Sequence, residues 1–349
     1  MELKKFEDIV SLQRGYDFPE KDRIIGTFPL VSSNGIFHFV KESKCKGPGV
    51  VTGRSGTIGN VFYVEDDYWP LNTTLFVKDF HNNNPKYISY WLSTFPLAKY
   101  ANGASVPTLN RNELTGIICK VHNIKEQQHI VNTIGSVDEL IENYQSQADK
   151  ICQALEQALS VHDDRCLINE YDPFIIKSGI VKFDKEKTYL DTSCVEGINN
   201  ISSGELITYS KRPSRANMQP IANSVWFAKM KDSNKIIIVT DSDDDLLNKH
   251  ILSTGFMGIQ ATQSLPMSLL TAIIISNDFK VQRDLNSVGT TMAGVNNETF
   301  LKIQVPKLNE TEINDFENKY SPLVSQLSYL RRKIILLKGV KDKLLKKYF

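Results

Sequence analysis

Two stretches of the sequence combine residue types that contact phosphate or base edges. The first is Gly53-Arg54-Ser55-Gly56-Thr57-Ile58-Gly59-Asn60. Its glycines leave backbone N–H groups open, and Arg54, Ser55 and Thr57 add side-chain donors, a set suited to DNA phosphates and bases. It has neither the GxGxxG spacing of a dinucleotide fold nor the lysine of a Walker loop. The same glycines also suit a tightly packed hairpin, and both readings stand. The second stretch is Lys211-Arg212-Pro213-Ser214-Arg215-Ala216-Asn217. Arginine matches guanine with two hydrogen bonds and asparagine matches adenine; a solvated basic turn is the plainer reading.

Chemistry that breaks or makes covalent bonds is poorly provided for. Methylation of a base amino group calls for Asn/Asp-Pro-Pro-aromatic, and Asp172-Pro173-Phe174 lacks the second proline. Glu42-Ser43-Lys44 and Glu317-Asn318-Lys319 have the Glu-x-Lys form of a metal nuclease, but such triplets are common and the second lies in a helical repeat. The six histidines show no HExxH spacing, and His162-Asp163-Asp164 suits a capped or solvated boundary. The five cysteines, an odd number without CxxC, suit reduced structural thiols. No catalytic or metal-binding residue is expected.

Two long helices must position the rest. Apolar residues Ile130, Ile134, Val137, Ile141, Tyr144, Ala148, Ile151, Leu155 and Ala158 alternate steps of four and three, a heptad pattern over 125–160. Phe316, Tyr320, Leu323, Leu327, Leu330, Ile334, Leu337, Lys341 and Leu344 repeat it 186 positions later. The match extends upstream: Gly103–Asn110 aligns with Gly289–Asn296 and Glu126 with Glu312. Before Gly103 the two halves diverge. The predicted organisation is a head over 1–124, a helix over 125–160, a second head over 161–308 and a second helix over 309–349. Short Val/Ile/Phe/Tyr runs between Asn-Gly, Gly-Pro and Asp-Asp breaks predict strands in both heads. Pro85–Phe95 and Pro266–Ser276 predict helices, and Phe6–Ser11 predicts a short one. Asp241–Asp245 reads as an acidic turn, Ile251–Gln260 as a strand-like run and Asp284–Val295 as a loop. The fold class is α+β, with two heads and an intramolecular coiled coil in a pseudo-twofold repeat.

The formal net charge is +1, so a nucleic-acid surface has to be local. The strongest basic run, Arg331 to Lys347 on the last helix, fits a DNA-backbone strip, a solvated face or an acidic partner. No apolar run approaches the ~20 residues of a membrane span. The first residues lack a signal-peptide core, so a cytoplasmic protein is expected.

The whole chain resembles the specificity (S) subunit of type I restriction-modification systems. In the first half the resemblance rests on Phe28–Gly35, Gly53–Gly59, Trp69–Thr74, Gly103–Leu109 and Glu126-Gln127-Gln128. In the second it rests on Arg212–Ala216, Leu252–Phe256, Val305-Pro306 and the closing helix. Two departures are Lys120, where the family usually has proline, and Ile313-Asn314 in place of the Gln-Gln pair.

The resemblance implies that each head reads one half of a bipartite double-stranded DNA target. It implies antiparallel helices acting as a spacer: ~36 residues make a rod of roughly 50 Å, about fifteen base-pair steps at ~3.4 Å. Contacts are then expected at Arg54, Ser55, Thr57, Ser105, Thr108 and Arg111 in the first head. In the second they are expected at Lys211, Arg212, Ser214, Arg215 and Asn217. Ile130, Ile134, Val137, Ile141, Phe316, Tyr320, Leu323 and Leu327 would form the helix seam, leaving the outer faces, with the basic run, for partner subunits and DNA. The chain itself would do no chemistry. S-adenosylmethionine, ATP and Mg would enter through two modification subunits and the restriction subunits. An S-like adaptor of another DNA-modification or restriction system is the alternative.

Overall fold

The computed structural model describes residues 1–103, 107–289 and 293–349. The chain divides into one unit of Met1–Glu139 with Gly339–Phe349 and a second of Leu140–Lys338. Both mix helices with small sheets, an α+β fold.

In the first unit the chain runs β1 (Glu2–Lys5), α1 (Phe6–Ile9), β2 (Ser11–Arg14), β3 (Ile25–Ser32), β4 (Gly35–Val40), β5 (Gly49–Gly53), β6 (Val61–Val64), β7 (Trp69–Pro70) and β8 (Thr74–Asp79). There follow α2 (Pro85–Thr94), β9 (Ala101–Asn102), β10 (Thr108–Leu109), β11 (Ile118–Val121) and the long α3 (Ile124–Ser160), which continues into the second unit. The main sheet has the order β2-β8-β5-β6 and is antiparallel. A second sheet, β4-β3-β7, pairs β3 and β7 in parallel. The helix expected over Phe6–Ser11 is one turn, because Leu12 alternates into the core of the main sheet instead.

The second unit runs β12 (Arg165–Leu167), β13 (Phe174–Ile175), β14 (Lys187–Leu190), β15 (Val195–Glu196), β16 (Asn200–Ile201), β17 (Glu205–Ile207), β18 (Ala216–Met218), β19 (Ser224–Ala228) and β20 (Ile236–Val239). It continues with α4 (Asp244–Lys249), β21 (His250–Ser253), β22 (Phe256–Gln260), α5 (Met267–Ile275), α6 (Asn277–Leu285), α7 (Asn297–Phe300), β23 (Gln304–Pro306) and α8 (Glu310–Tyr348). Its main sheet is β13-β22-β19-β20, antiparallel, and its second sheet is β17-β14-β21-β18, with β14 and β21 parallel. The run Ile251–Gln260, expected as one strand, is two strands of different sheets, because the chain changes sheet at Thr254-Gly255. The loop expected over Asp284–Val295 begins inside α6, whose N-terminus is capped by Ser276.

Despite their unlike sequences, the heads route the chain alike. Each starts at the edge of the main sheet (β2, β13) and opens the second sheet (β3, β14). Each then returns for a central hairpin (β5–β6, β19–β20), adds a parallel strand (β7, β21) and closes on β8 or β22. Both long helices start with reciprocal hydrogen bonds. Asn123 Oδ1 accepts the Glu126 N–H and Glu126 Oε2 the Asn123 N–H, and Asn309 and Glu312 repeat the arrangement.

Gln127, in the Glu-Gln-Gln stretch, is buried and ties α2 to α3. Its amide donates to Asn83 Oδ1 at 2.7 Å and His122 O at 2.8 Å, and accepts the Asn84 N–H at 3.0 Å. In α8 the buried Ile313 takes that position. Glu317 accepts the Ser268 N–H at 2.9 Å and so holds the start of α5. Glu317 of that triplet therefore serves as a structural cap.

Seam residues Ile130, Ile134, Ile141, Phe316 and Leu327 are buried, while Val137, Tyr320 and Leu323 are half-buried. In the first unit Ile130 and Ile134 share a core with Leu344, Leu345, Tyr348 and Phe349. There Lys341 Nζ lies 2.6 Å from Asp138. In the second unit Leu155 and Leu159 share a core with Phe316, Val324 and Leu327.

The start of the basic run on α8 is spent inside the second unit, while Lys343, Lys346 and Lys347 are exposed. Arg331 is 3% exposed and its Nη2 lies 2.6 Å from Asp243 Oδ1. Arg332 reaches the same oxygen at 2.7 Å, and Lys338 donates to Asn200 at 2.9 Å. Asp243, in the acidic turn expected over Asp241–Asp245, is 1% exposed and accepts from Thr240 and Ser328 as well. Burial pushes its carboxyl up, but the charge of Arg331 and these hydrogen bonds outweigh that and hold it at about 2.

Replacing Arg331 by Met should cost about 3–5 kcal/mol in urea unfolding, because Asp243 loses its main buried counter-charge. Replacing Asp243 by Leu as well should recover most of the loss. The native carboxyl sits below its ordinary 3.8, so its stabilisation is complete above that value. It should fade as pH falls toward about 2, and be absent from the acid limb of the double variant.

Candidate nucleic-acid interface

The glycine-rich loop after β5 closes on itself. Gly53 N–H donates to Asn60 O at 3.3 Å, and a Cβ on Gly53 would strike the Thr57 carbonyl. Only glycine fits there, so the loop is the tight turn that the plainer reading expected. It nevertheless presents Arg54, Ser55 and the exposed Thr57. The Thr57 hydroxyl donates to Asn34 Oδ1, joining the loop to the tip of the β3–β4 hairpin.

A backbone knot fixes the position of Arg54. Its N–H donates to Thr73 O at 2.9 Å, and its carbonyl accepts the Leu109 N–H at 2.8 Å. Ser55 bridges to Thr108, which also pairs with Asn102 across β9–β10. Arg54, Ser55, Thr57 and Thr108 are thus brought together. Arg111 is exposed but engaged: its Nη1 donates to Leu12 O at 3.3 Å. Ser105 lies outside the described residues.

In the second head Lys211, Ser214 and Arg215 are exposed, while Arg212 and Asn217 are half-buried. Arg212 stacks 4.3 Å over the Tyr209 ring and donates to Tyr209 O at 2.6 Å, so much of its hydrogen-bonding fork is spent within the head. Asn217 lies in β18, where its carbonyl accepts the Gly179 N–H at 2.8 Å. The Arg215 carbonyl accepts the Thr254 N–H at 2.8 Å, which places Arg215 at the β21–β22 turn.

Sequence alone does not reveal Asn34, whose role depends on a hairpin tip meeting a loop 23 residues later. Nor does it reveal the turn after β19, where Lys229, Met230 and Lys231 surround a knot like that of Arg54. Lys229 N–H donates to Gly255 O at 3.0 Å, its carbonyl accepts the Val295 N–H at 3.0 Å, and Met230 bridges to Gly294. Only scattered lysines mark this turn in the sequence. Among the described residues no group of His, Cys, Asp and Glu could hold a metal ion. None of their helices is long and apolar enough to cross a membrane.

Comparison with known proteins bears on the first part of the chain and on the fold. The profile of the type I restriction modification DNA specificity domain matches residues 1–152. No curated protein matches the chain. The S subunit of a type-I restriction-modification system from M. genitalium shares the fold, with a TM-score of 0.55 at 13% identity, over 100% of this chain and 96% of that one. The HsdS subunit from Thermoanaerobacter tengcongensis covers 100% of this chain and 96% of its own at 11% identity, with a TM-score of only 0.34.

Residues 1–152 are therefore a DNA-specificity domain. Over its full length the chain shares the fold of the M. genitalium S subunit.

Among the described residues the Arg54 guanidinium makes no ion pair, whereas Arg111 holds a backbone carbonyl of β2. Arg54→Ala should leave the melting temperature nearly unchanged, a stability change within about 0.5 kcal/mol, and weaken DNA binding. Arg111→Ala should lower stability by about 1 kcal/mol. Thermal melts and DNA titrations of the two variants separate these roles.

Proposed function

We propose that each head reads one half of a bipartite DNA target and that α3 and α8 set the gap between the half-sites. The observation that carries this is the shared strand routing of two heads with unlike exposed residues, as expected of one scaffold reading two sequences. The matching capping boxes at Asn123–Glu126 and Asn309–Glu312 support an internal duplication with a pseudo-twofold relation. The division into heads over 1–124 and 161–308, with paired spacer helices over 125–160 and 309–349, is part of this reading. DNA contact at the residues named from the sequence belongs to it too, with Arg54, Ser55, Thr57 and Thr108 as the group supported by proximity.

The exposed apolar residues Tyr329, Ile335 and Leu336 on α8 suit docking of a protein subunit. In this reading they receive two modification subunits, which supply S-adenosylmethionine chemistry. Restriction subunits add ATP- and Mg-dependent translocation and cleavage. The specificity chain contributes no catalytic residue and works in the cytoplasm.

Mapping methylated adenines in the host genome with and without the gene should reveal a bipartite motif that disappears with the gene. An unchanged methylation map would refute the proposal. Removing one heptad from each long helix should shorten the unread gap while preserving both half-sites, because ~1.5 Å is lost per residue. A motif with its original gap would mean that the helices are not the ruler.

A further inference from the structure

The two backbone knots are built from equivalent atoms. Arg54 is the first residue after β5, and Lys229 the first after β19. Each donates its N–H to the residue before the neighbouring strand, Thr73 before β8 and Gly255 before β22. Each accepts an N–H from the residue that ends a small closed loop, Leu109 or Val295. The following residues form equivalent bridges, Ser55 to Thr108 and Met230 to Gly294. A backbone held at the same three points directs its Cα–Cβ bond the same way, so the two cationic side chains leave equivalent places in the two heads. The sequences around them share no motif.

Arg215 adds a second cation at this point. Its Nη2 lies 3.0 Å from where a Cβ on Gly255 would stand, so the guanidinium packs on the turn that Lys229 also binds. Among the described residues neither Arg215 nor Lys229 makes an ion pair. Burial, and then the charge of Arg215, hold the Lys229 ammonium below its ordinary pKa. Like charges held together without a carboxylate cost free energy that an anionic ligand would offset. Lys231 is exposed beside them. Lys235 is spent on Thr192 O at 2.6 Å, and Arg212 on Tyr209.

Resting on the DNA-reading role above, we propose that Arg215, Lys229 and Lys231 form the second head's phosphate-contact surface, the counterpart of Arg54 in the first. The ligand is the DNA backbone flanking the second half-site. Arg212 has a different task, which is to brace the Tyr209 side of the same head.

The test uses the full chain assembled with its modification subunits and duplexes carrying or lacking the mapped motif, titrated at graded salt. Arg215→Gln with Lys229→Gln should weaken binding at least about tenfold. It should also lower the slope of log affinity against log salt by about one for each phosphate that is no longer neutralised. Arg215→Lys with Lys229→Arg should restore the slope, which separates removal of charge from misfolding. Unchanged affinity and slope in the Gln pair, with a wild-type complex that prefers the motif, would overturn this assignment alone. A wild-type complex with no preference for any duplex would overturn the bipartite reading itself. Loss of modification-subunit capture with undiminished DNA binding by the assembled fraction would make the patch a protein contact and also overturn it.

Discussion

The ion pair between Arg331 and Asp243 constrains the second unit most strongly. Two nearly inaccessible charges are a costly choice unless each is fully matched, and here the matching is dense. Asp243 receives Arg331, Arg332, Thr240 and Ser328, and Arg331 also donates to Asn199 and the Ile238 carbonyl. The partners come from β20, the turn before α4, the β15–β16 hairpin and α8. An apolar contact tolerates sliding by part of a turn, whereas this network is satisfied in one register only. The last helix is thereby indexed to the second unit's main sheet.

The first unit achieves the same end without a buried charge pair. Gln127 joins the start of α3 to the start of α2 through hydrogen bonds with Asn83 and Asn84 and holds His122 O with a third, and Tyr90 and Lys341 meet on Asp138. Both solutions place polar groups where helix meets head. Each donor or acceptor left unmatched there would cost more than a matched one contributes. That asymmetry selects one arrangement over near alternatives.

Within each head the turns at Arg54 and Lys229 stand on backbone geometry. The knots at Arg54 and Lys229 use main-chain N–H and C=O groups, which every residue but proline supplies in full. Side chains there can change without loss of the scaffold. This explains how two heads diverge in sequence before Gly103 and still follow one strand order. It also explains why the glycine-rich loop does not recur in the second head. Gly53 serves the local fold of one turn, in which the Thr57 carbonyl leaves no room for a Cβ, and that turn is specific to the first head.

The heptad pattern by itself determined where the two long helices run and that they match at a constant offset. A helical face must bury its apolar stripe, and the spacing of that stripe is written in the chain. Composition and missing motifs were enough to turn the search from catalysis toward binding, and turn residues located most strands to within a few positions. The tertiary structure alone decided which charges are free. Arg331 and Lys338 look like neighbours on a basic strip, yet one is buried in an ion pair and the other bound to Asn200. Asp243 looks like part of an acidic turn and is the most enclosed carboxylate of the second unit's network. Lys229 looks like an isolated lysine and stands where Arg54 stands in the other head. Local sequence encodes periodicity and turns because those depend on near neighbours. The fate of a charge depends on partners brought close by the fold, which for Arg331 and Asp243 lie 88 positions apart.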